Sequence, residues 1–204
     1  MDPKKTALVL IGFQNDWFHE DGILRPVIKE QAESTGMLPN TLELINQLQN
    51  TGVTIFSSPI QFQEGYPELV EPMGVLAKIK EVGAFQVGRE GADIIEGLTG
   101  NQEIIEIRGR RGLNAFANTM LEDELRARGI EDIVLAGVVI SLCVDSTARC
   151  ALDLDFRVHI LQDCISGRTD LEHQLYCDEI FPMFCGMTDS KALVEDLQNV
   201  PAQA

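Results

Sequence analysis

Cys143 has the sequence surroundings of a nucleophile. It follows an apolar run, Ile133-Val134-Leu135-Ala136, which closes at Gly137, and a short loop from Val138 to Leu142. A helical pattern begins at Cys143 and reaches about Leu154, with Asp145 and Arg149 spaced i, i+4 as a charge pair. Backbone N–H groups and the dipole at a helix start favour a thiolate, the reactive form of cysteine. The preceding loop offers further N–H groups for an oxyanion. The competing reading is a small buried hydrophobe, as most free cysteines are. A second group, Arg108, Arg110 and Arg111, follows another apolar run. It reads as a solvated basic patch, or as paired N–H donors for a small anionic substrate. Phe13, Trp17 and Phe85 read either as walls of a pocket or as plain core. Asp16 reads as a loop or capping residue. Asp145, in the first turn of the Cys143 helix, favours that helix terminus but disfavours a thiolate nearby.

These groups need a scaffold, and the apolar pattern supplies one. Short runs at 7–11, 53–56, 104–107, 133–136 and 158–161 show little polar alternation. That is the signature of strands buried on both faces of a parallel sheet. Met183-Phe184-Cys185 is a weaker sixth candidate. Helices fit between them: one carries Leu38, Leu42, Ile45 and Leu48 on one face and is closed by Gly52. Another starts at a Thr119-x-x-Glu122 capping box, shares Leu121 and Leu125 on one face, and ends at Gly129. Further helices fit Leu171 to Ile180 and Ser190 to Leu197. Segment 57–102 is the least regular, with short helices near 74–80 and 91–97 and loops that cover a site. The expectation is one α/β domain over 1–204: a three-layer, doubly wound, mostly parallel sheet of five or six strands with helices on both faces. In such sheets ligands bind beyond the carboxyl ends of the strands, where Gly12 to Phe18, Arg108 to Phe116 and Val138 to Arg149 lie.

Composition excludes several classes. The 204 residues are 45% hydrophobic and 24% charged, as in ordinary globular proteins. Sixteen basic against thirty-two acidic residues leave a net charge of −16, which repels phosphate backbones and anionic lipid, so neither nucleic acid nor membrane is an expected partner. No apolar stretch reaches membrane-spanning length, and Met-Asp-Pro-Lys-Lys lacks the apolar segment of a secretory signal. The five cysteines, at 143, 150, 164, 177 and 185, form no C-x-x-C pair. Free thiols in a reducing cytoplasm are expected. No phosphate-binding glycine motif is present.

Three segments resemble the isochorismatase-like hydrolases, which include nicotinamidases and N-carbamoylsarcosine amidase. Ala7 to Phe18 resembles the family's apolar-Asp-x-Gln-Asn-Asp-aromatic segment. Arg110 to Phe116 resembles Lys-x-x-x-Ser-Ala-Phe. Gly137 to Ala151 resembles Gly-Val-x-Thr-Asn-x-Cys-Val-x-Ser-Thr-Ala-Arg-x-Ala. The resemblance runs from about Thr6 to Thr188. It implies an Asp–Lys–Cys triad in which cysteine attacks the carbonyl, aspartate moves the thiol proton and lysine positions the aspartate. Carried over, the cysteine is Cys143, the lysine position is Arg110 and the aspartate position is Gly12. Glycine has no acid–base group, and arginine does not release a proton near neutral pH. The resemblance further implies a non-proline cis peptide at Val138–Val139, with the N–H groups of Val139 and Cys143 as oxyanion donors.

Nicotinamidase-type members carry an Asp-x-His metal pair where this chain reads Ser57-Ser58-Pro59-Ile60-Gln61-Phe62, so no metal and no cofactor are expected. The expected function is cysteine hydrolysis of a small amide or related C–N bond through a Cys143 thioester. The alternative is a catalytically impaired relative that binds a ligand or forms an oligomer; for it, Gly12→Asp with Arg110→Lys is expected to restore turnover. Isochorismatase chemistry is a third option, which the missing aspartate counts against. The expected partner is a small molecule, with an anion among the options, and the family habit implies a homo-oligomer.

Overall fold

The computed structural model describes residues 1–101 and 103–199. Six strands form one parallel sheet: β1 (Thr6–Ile11), β2 (Thr54–Ser58), β3 (Ile104–Glu106), β4 (Asp132–Val138), β5 (Arg157–Ser166) and β6 (Gly186–Thr188). Their order is β3-β2-β1-β4-β5-β6. The chain therefore winds outward from β1 in one direction, returns to β4 beside it, and winds outward in the other. The crevice between β1 and β4 is the topological switch point, where such sheets bind ligands. Every residue of β1 and β4 is buried, which explains their unbroken apolar pattern.

Helices cover both faces. Leu8, Leu10, Val134 and Ala136 pack under α1 (Asn15–Phe18), α2 (Arg25–Thr35), α3 (Met37–Leu48), α4 (Gly74–Val82) and α8 (Ser190–Gln198). Ala7, Val9, Ile11 and Leu135 pack under α5 (Leu121–Ala127) and α6 (Asp145–Asp153). These are the three layers that the sequence pattern predicts. Helix α3 buries Met37, Leu44, Ile45 and Leu48 as one stripe; a side chain of that size contributes about 1.5–3 kcal/mol when buried. Leu171, Leu175 and Met183 are exposed before and after the turn that follows α7 (Asp170–Leu175). Among the described residues no helix is long and apolar enough to cross a membrane.

Several elements differ from the sequence reading. The sixth strand lies three residues beyond Met183-Phe184-Cys185, because Phe181–Met183 closes a tight turn whose Phe181 carbonyl takes the N–H groups of Phe184 and Cys185. Thr119 does not form a capping box: its hydroxyl accepts from Leu121 N–H at 3.2 Å and donates to Ala115 O, and Met120 is the N-cap. Gly129 does follow that helix in the left-handed region. Helix α3 ends at Leu48, before Gly52. The region near 91–97 holds one short turn, Glu90–Ala92. Helix α2 has no strong sequence pattern because it buries only Ile28 and Gln31; the Gln31 amide oxygen accepts from Ser166 Oγ and from Gly167 N–H at 2.9 Å. Residue 102, the last of the irregular segment, lies outside the described residues.

At the amino edge of the sheet, charges are paired. Asp132 accepts from Arg157 Nε at 2.8 Å and Nη2 at 2.6 Å, with His159 Nε2 at 3.0 Å. Burial pushes its carboxyl up, but the hydrogen bonds and charges of Arg157 and His159 outweigh that and hold it below the usual carboxylate range. Lys5 Nζ meets Glu131 at 2.6 Å beside it.

Candidate functional site

The carboxyl edge is built from three turns that follow β1, β3 and β4. Gly12 leaves β1 at φ 74°, in the left-handed region that glycine enters without steric cost. A Cβ there would lie 3.1 Å from Val138 O and 3.5 Å from Trp17 Nε1. An L side chain at this position would be strained by the left-handed φ and the close approach to Val138 O.

Val138–Val139 is a cis peptide, as the resemblance implies. Cys143 is 9% exposed and lies inside a widened turn, Ile140–Val144, ahead of α6. This corrects the expectation that Cys143 opens the α-helix. The wide turn arises because Val144 N–H reaches back to Val139 O and Asp145 N–H to Ile140 O. Asp145 is the first residue of α6 and pairs with Arg149 at 3.0 Å, as the spacing predicts. Thr147 fixes this turn to the neighbouring segment: its buried hydroxyl donates to Cys143 O at 2.7 Å and accepts from Ala115 N–H at 3.1 Å. Sequence reading gave Thr147 no role, although it lies within the quoted motif.

The three arginines of the basic run meet three different environments. Arg108 is exposed and pairs with Glu106 at 2.7 Å. Arg111 reaches Asn118 at 3.0 Å. Arg110 is 1% exposed; its Nη1 donates to Ser58 O at 2.7 Å and its Nε to Gly112 O at 3.1 Å. No ion pair joins Arg110 to a carboxylate among the described residues. Ser58 is level with Ile11 of β1, which is level with Gly137 of β4. The guanidinium is therefore held at the end of β2, two strands from the Cys143 turn. Ser58 Oγ is buried there without a hydrogen-bond partner among the described residues.

Asp16 is not a cap. It is 4% exposed, and its Oδ2 accepts from Phe85 N–H at 2.6 Å. Gln14 does similar bracing: Nε2 donates to Ile60 O and Ala92 O, and Oε1 accepts from Ile60 N–H. Together they fasten Ile60, Phe85 and Ala92 of the excursion after β2 over the end of β1. Gln14 carries the most side-chain bonds of that motif, and its place directly after the Gly12 turn was the available signal.

Trp17, Val139, Ser141 and Leu142 line a cavity of about 320 Å³, with Leu24, Val27, Val75, Lys78, Ile79 and Arg168. It borders Val139 of the cis peptide and Ser141 and Leu142, which precede Cys143. Phe13 stacks on Phe18 at 5.4 Å, and Phe85 tilts against Trp17 at 5.8 Å; both are 1% exposed and stand behind this lining. Behind Ser141, Glu172 accepts from Arg168 N–H at 2.8 Å and Nε at 3.0 Å. Burial pushes that carboxyl up, but Ser141 and the Arg168 donors hold it below the usual range. Glu172 Oε1 has no hydrogen-bond partner among the described residues. A larger cleft of about 670 Å³ over β3 is lined by His19, Glu90, Asp93 and Glu96 among others and shares no lining residue with the Cys143 turn. Among the described residues no cluster of three or more His, Cys, Asp or Glu groups converges on a metal position.

A doubly wound α/β protein with a cysteine-bearing turn at the switch point is the class that this geometry defines. Residues 6–192 match the isochorismatase domain family, and the chain belongs to it. It is 30% identical over 189 residues to the isochorismatase family protein YecD of Escherichia coli, covering 89% of this chain and 90% of that one. It is 26% identical over 178 residues to the ureidoacrylate amidohydrolase RutB of Caulobacter vibrioides, covering 80% and 77%. A cysteine hydrolase structure from Pseudomonas syringae superposes with a TM-score of 0.83 at 16% identity, covering 97% and 94%; at that identity the likeness is one of fold.

Proposed function

We propose that this chain hydrolyses a small amide or related C–N bond with Cys143 as nucleophile. The observation that carries the reading is the position of Cys143: at the switch point, one residue from the cavity lining at Leu142, in a chain of the isochorismatase family. In the proposed reaction Cys143 Sγ bonds to the carbonyl carbon and the C–N bond breaks. The thiol proton leaves on the departing amine. Water then cleaves the thioester, yielding the acid and the free thiol. Gly12 supplies no base, so solvent or the substrate's own basic atom carries the proton. Arg110 acts as a fixed positive charge that also holds Ser58 O and Gly112 O in place.

The test is ammonia release across an amide panel. Cys143→Ala is expected to lower turnover about a thousandfold or more, with an unchanged circular dichroism spectrum. Equal turnover in the variant sinks the reading. The second reading, a ligand-binding relative without turnover, is favoured by the geometry at Gly12. It is the conclusion if no amide in the panel is cleaved by the unmodified protein.

A further inference from the structure

The buried arginine at the end of β2 has more donors than the chain gives it acceptors. Arg110 is 1% exposed, and a guanidinium carries five N–H donors. Nε donates to Gly112 O at 3.1 Å and Nη1 to Ser58 O at 2.7 Å. The other three N–H groups have no hydrogen-bond partner among the described residues. Beside them Ser58 is 0% exposed, and its Oγ is buried and likewise unpartnered. Because Ser58 O is the acceptor of Nη1, that hydroxyl and the guanidinium share one neighbourhood. The backbone is clamped as well, with Gln61 N–H donating to Arg110 O at 3.0 Å.

No carboxylate of the described residues answers this charge. Glu106, on the strand that leads to it, pairs with exposed Arg108 at 2.7 Å. Buried Asp16, after β1, accepts from Phe85 N–H at 2.6 Å. A buried cation without a counter-charge is strongly unfavourable. Room for one comes from the topology. Strand β1 lies between β2 and β4, so Arg110 and the Cys143 turn stand about 10 Å apart, and Gly12 puts no side chain between them. Gly112, next to the guanidinium, has no atom within 4 Å of where a Cβ would stand.

We propose that Arg110 and Ser58 form a binding site for a small planar oxyanion of formate size, which serves as counter-ion to the buried guanidinium. The free edge of the guanidinium takes two oxygens of such an anion at once, a match that a spherical halide lacks. The Ser58 hydroxyl adds a third donor. The anion is a bound ion and not a substrate. Neither Arg110 nor Ser58 lines the cavity beside Cys143, and the site needs neither that thiol nor turnover. It makes the stability of the chain depend on the anion present.

The test follows the Arg110 Nε–H resonance in ¹⁵N-labelled protein, identified by its absence from Arg110→Lys. Sodium formate and sodium chloride are titrated at matched ionic strength. Formate is expected to move that resonance and saturate, with chloride at least fivefold weaker. At ten times its dissociation constant, formate is expected to raise the thermal unfolding midpoint by about 3–6 °C. Ser58→Ala removes only an unpartnered hydroxyl, so it is expected to fold as the parent does and to weaken formate about three- to fivefold. Arg110→Lys is expected to weaken it tenfold or more. A resonance that does not saturate, a chloride response as large as that of formate, or equal formate affinity in Ser58→Ala each overturns the proposal. If Arg110→Lys does not fold, the resonance is identified by its proximity to the protons of Ser58 and Gly112, and the other arms decide. Cys143→Ala is expected to bind formate as the parent does, so an inactive hydrolase and an absent anion site are separate results.

Discussion

The two edges of the same sheet treat polar groups in opposite ways. At the amino edge, buried Asp132 is bound by two donor atoms of Arg157 and faces His159, and Lys5 meets Glu131 alongside. At the carboxyl edge, buried Arg110 has carbonyl partners but no carboxylate, and Ser58 Oγ and Glu172 Oε1 have no hydrogen-bond partner among the described residues. A buried polar group left without a partner costs about 1–3 kcal/mol. A fold bears such costs where a ligand or a reaction will use the group, and avoids them elsewhere. The amino edge is therefore the end where buried charge is paired, and the carboxyl edge is where we propose the chemistry.

Four experiments would break or sharpen that contrast. The largest effect is expected in thiol reactivity. Burial pushes the thiols of Cys177 and Cys185 up to about 11 and about 12, and that of Cys164 still higher. At pH 8 their thiolate fractions are about one in a thousand for Cys177 and about one in ten thousand for Cys185. Iodoacetamide followed by peptide mass analysis should find Cys143 modified about a hundredfold ahead of these three. Labelling of Cys177 and Cys185 at the same rate as Cys143 would remove the distinction between the carboxyl edge and the rest of the chain.

Asp132→Asn should lower stability at pH 7 by about 2 kcal/mol, read from urea unfolding. The sign with pH is fixed by the depressed carboxyl of Asp132. Its contribution is complete above the unfolded-state value of about 3.9 and is lost as pH falls through the lower folded value. The gap between the two proteins should therefore close as pH falls from about 4 towards 2. Glu172, also depressed, is present in both proteins and cancels. A gap that persists in acid would show that Asp132 acts through packing and not through its charge.

Arg110→Lys should cost about 1–2 kcal/mol, because an ammonium cannot reproduce the fork that reaches Ser58 O and Gly112 O together. If lysine is as stable, Arg110 is not the clip that the geometry makes it. Gly12→Ala should cost about 1 kcal/mol, from the left-handed φ and the 3.1 Å approach to Val138 O. An alanine variant more stable than the parent would mean that the turn after β1 has another conformation.

Much of the scaffold was legible because apolar continuity is a local signal. Five runs marked five of the six strands, although β5 continues to Ser166, and Gly12 and Gly137 marked the carboxyl edge at the switch point. What the pattern missed depends on partners distant in sequence. Helix α2 offers only Ile28 and Gln31 to the interior, and Gln31 is buried to bind Ser166 and Gly167. The cavity collects Trp17, Lys78, Ser141 and Arg168 from four separate segments, so no spacing rule could place them together. Arg110 showed the same limit: a run of arginines looks alike in sequence, yet one is buried and two face solvent or side chains.

By itself, the sequence determined the parallel α/β class, the position of Cys143 after a central strand, and that residue 12 is a glycine without an acid–base group, because residue type and periodicity are properties of the chain alone. The tertiary structure decided which charges are paired, which polar groups stand without partners, and that the space beside Gly12 is bordered by an indole N–H. Those are properties of contacts between segments, and they exist only once the sheet has brought its carboxyl ends together.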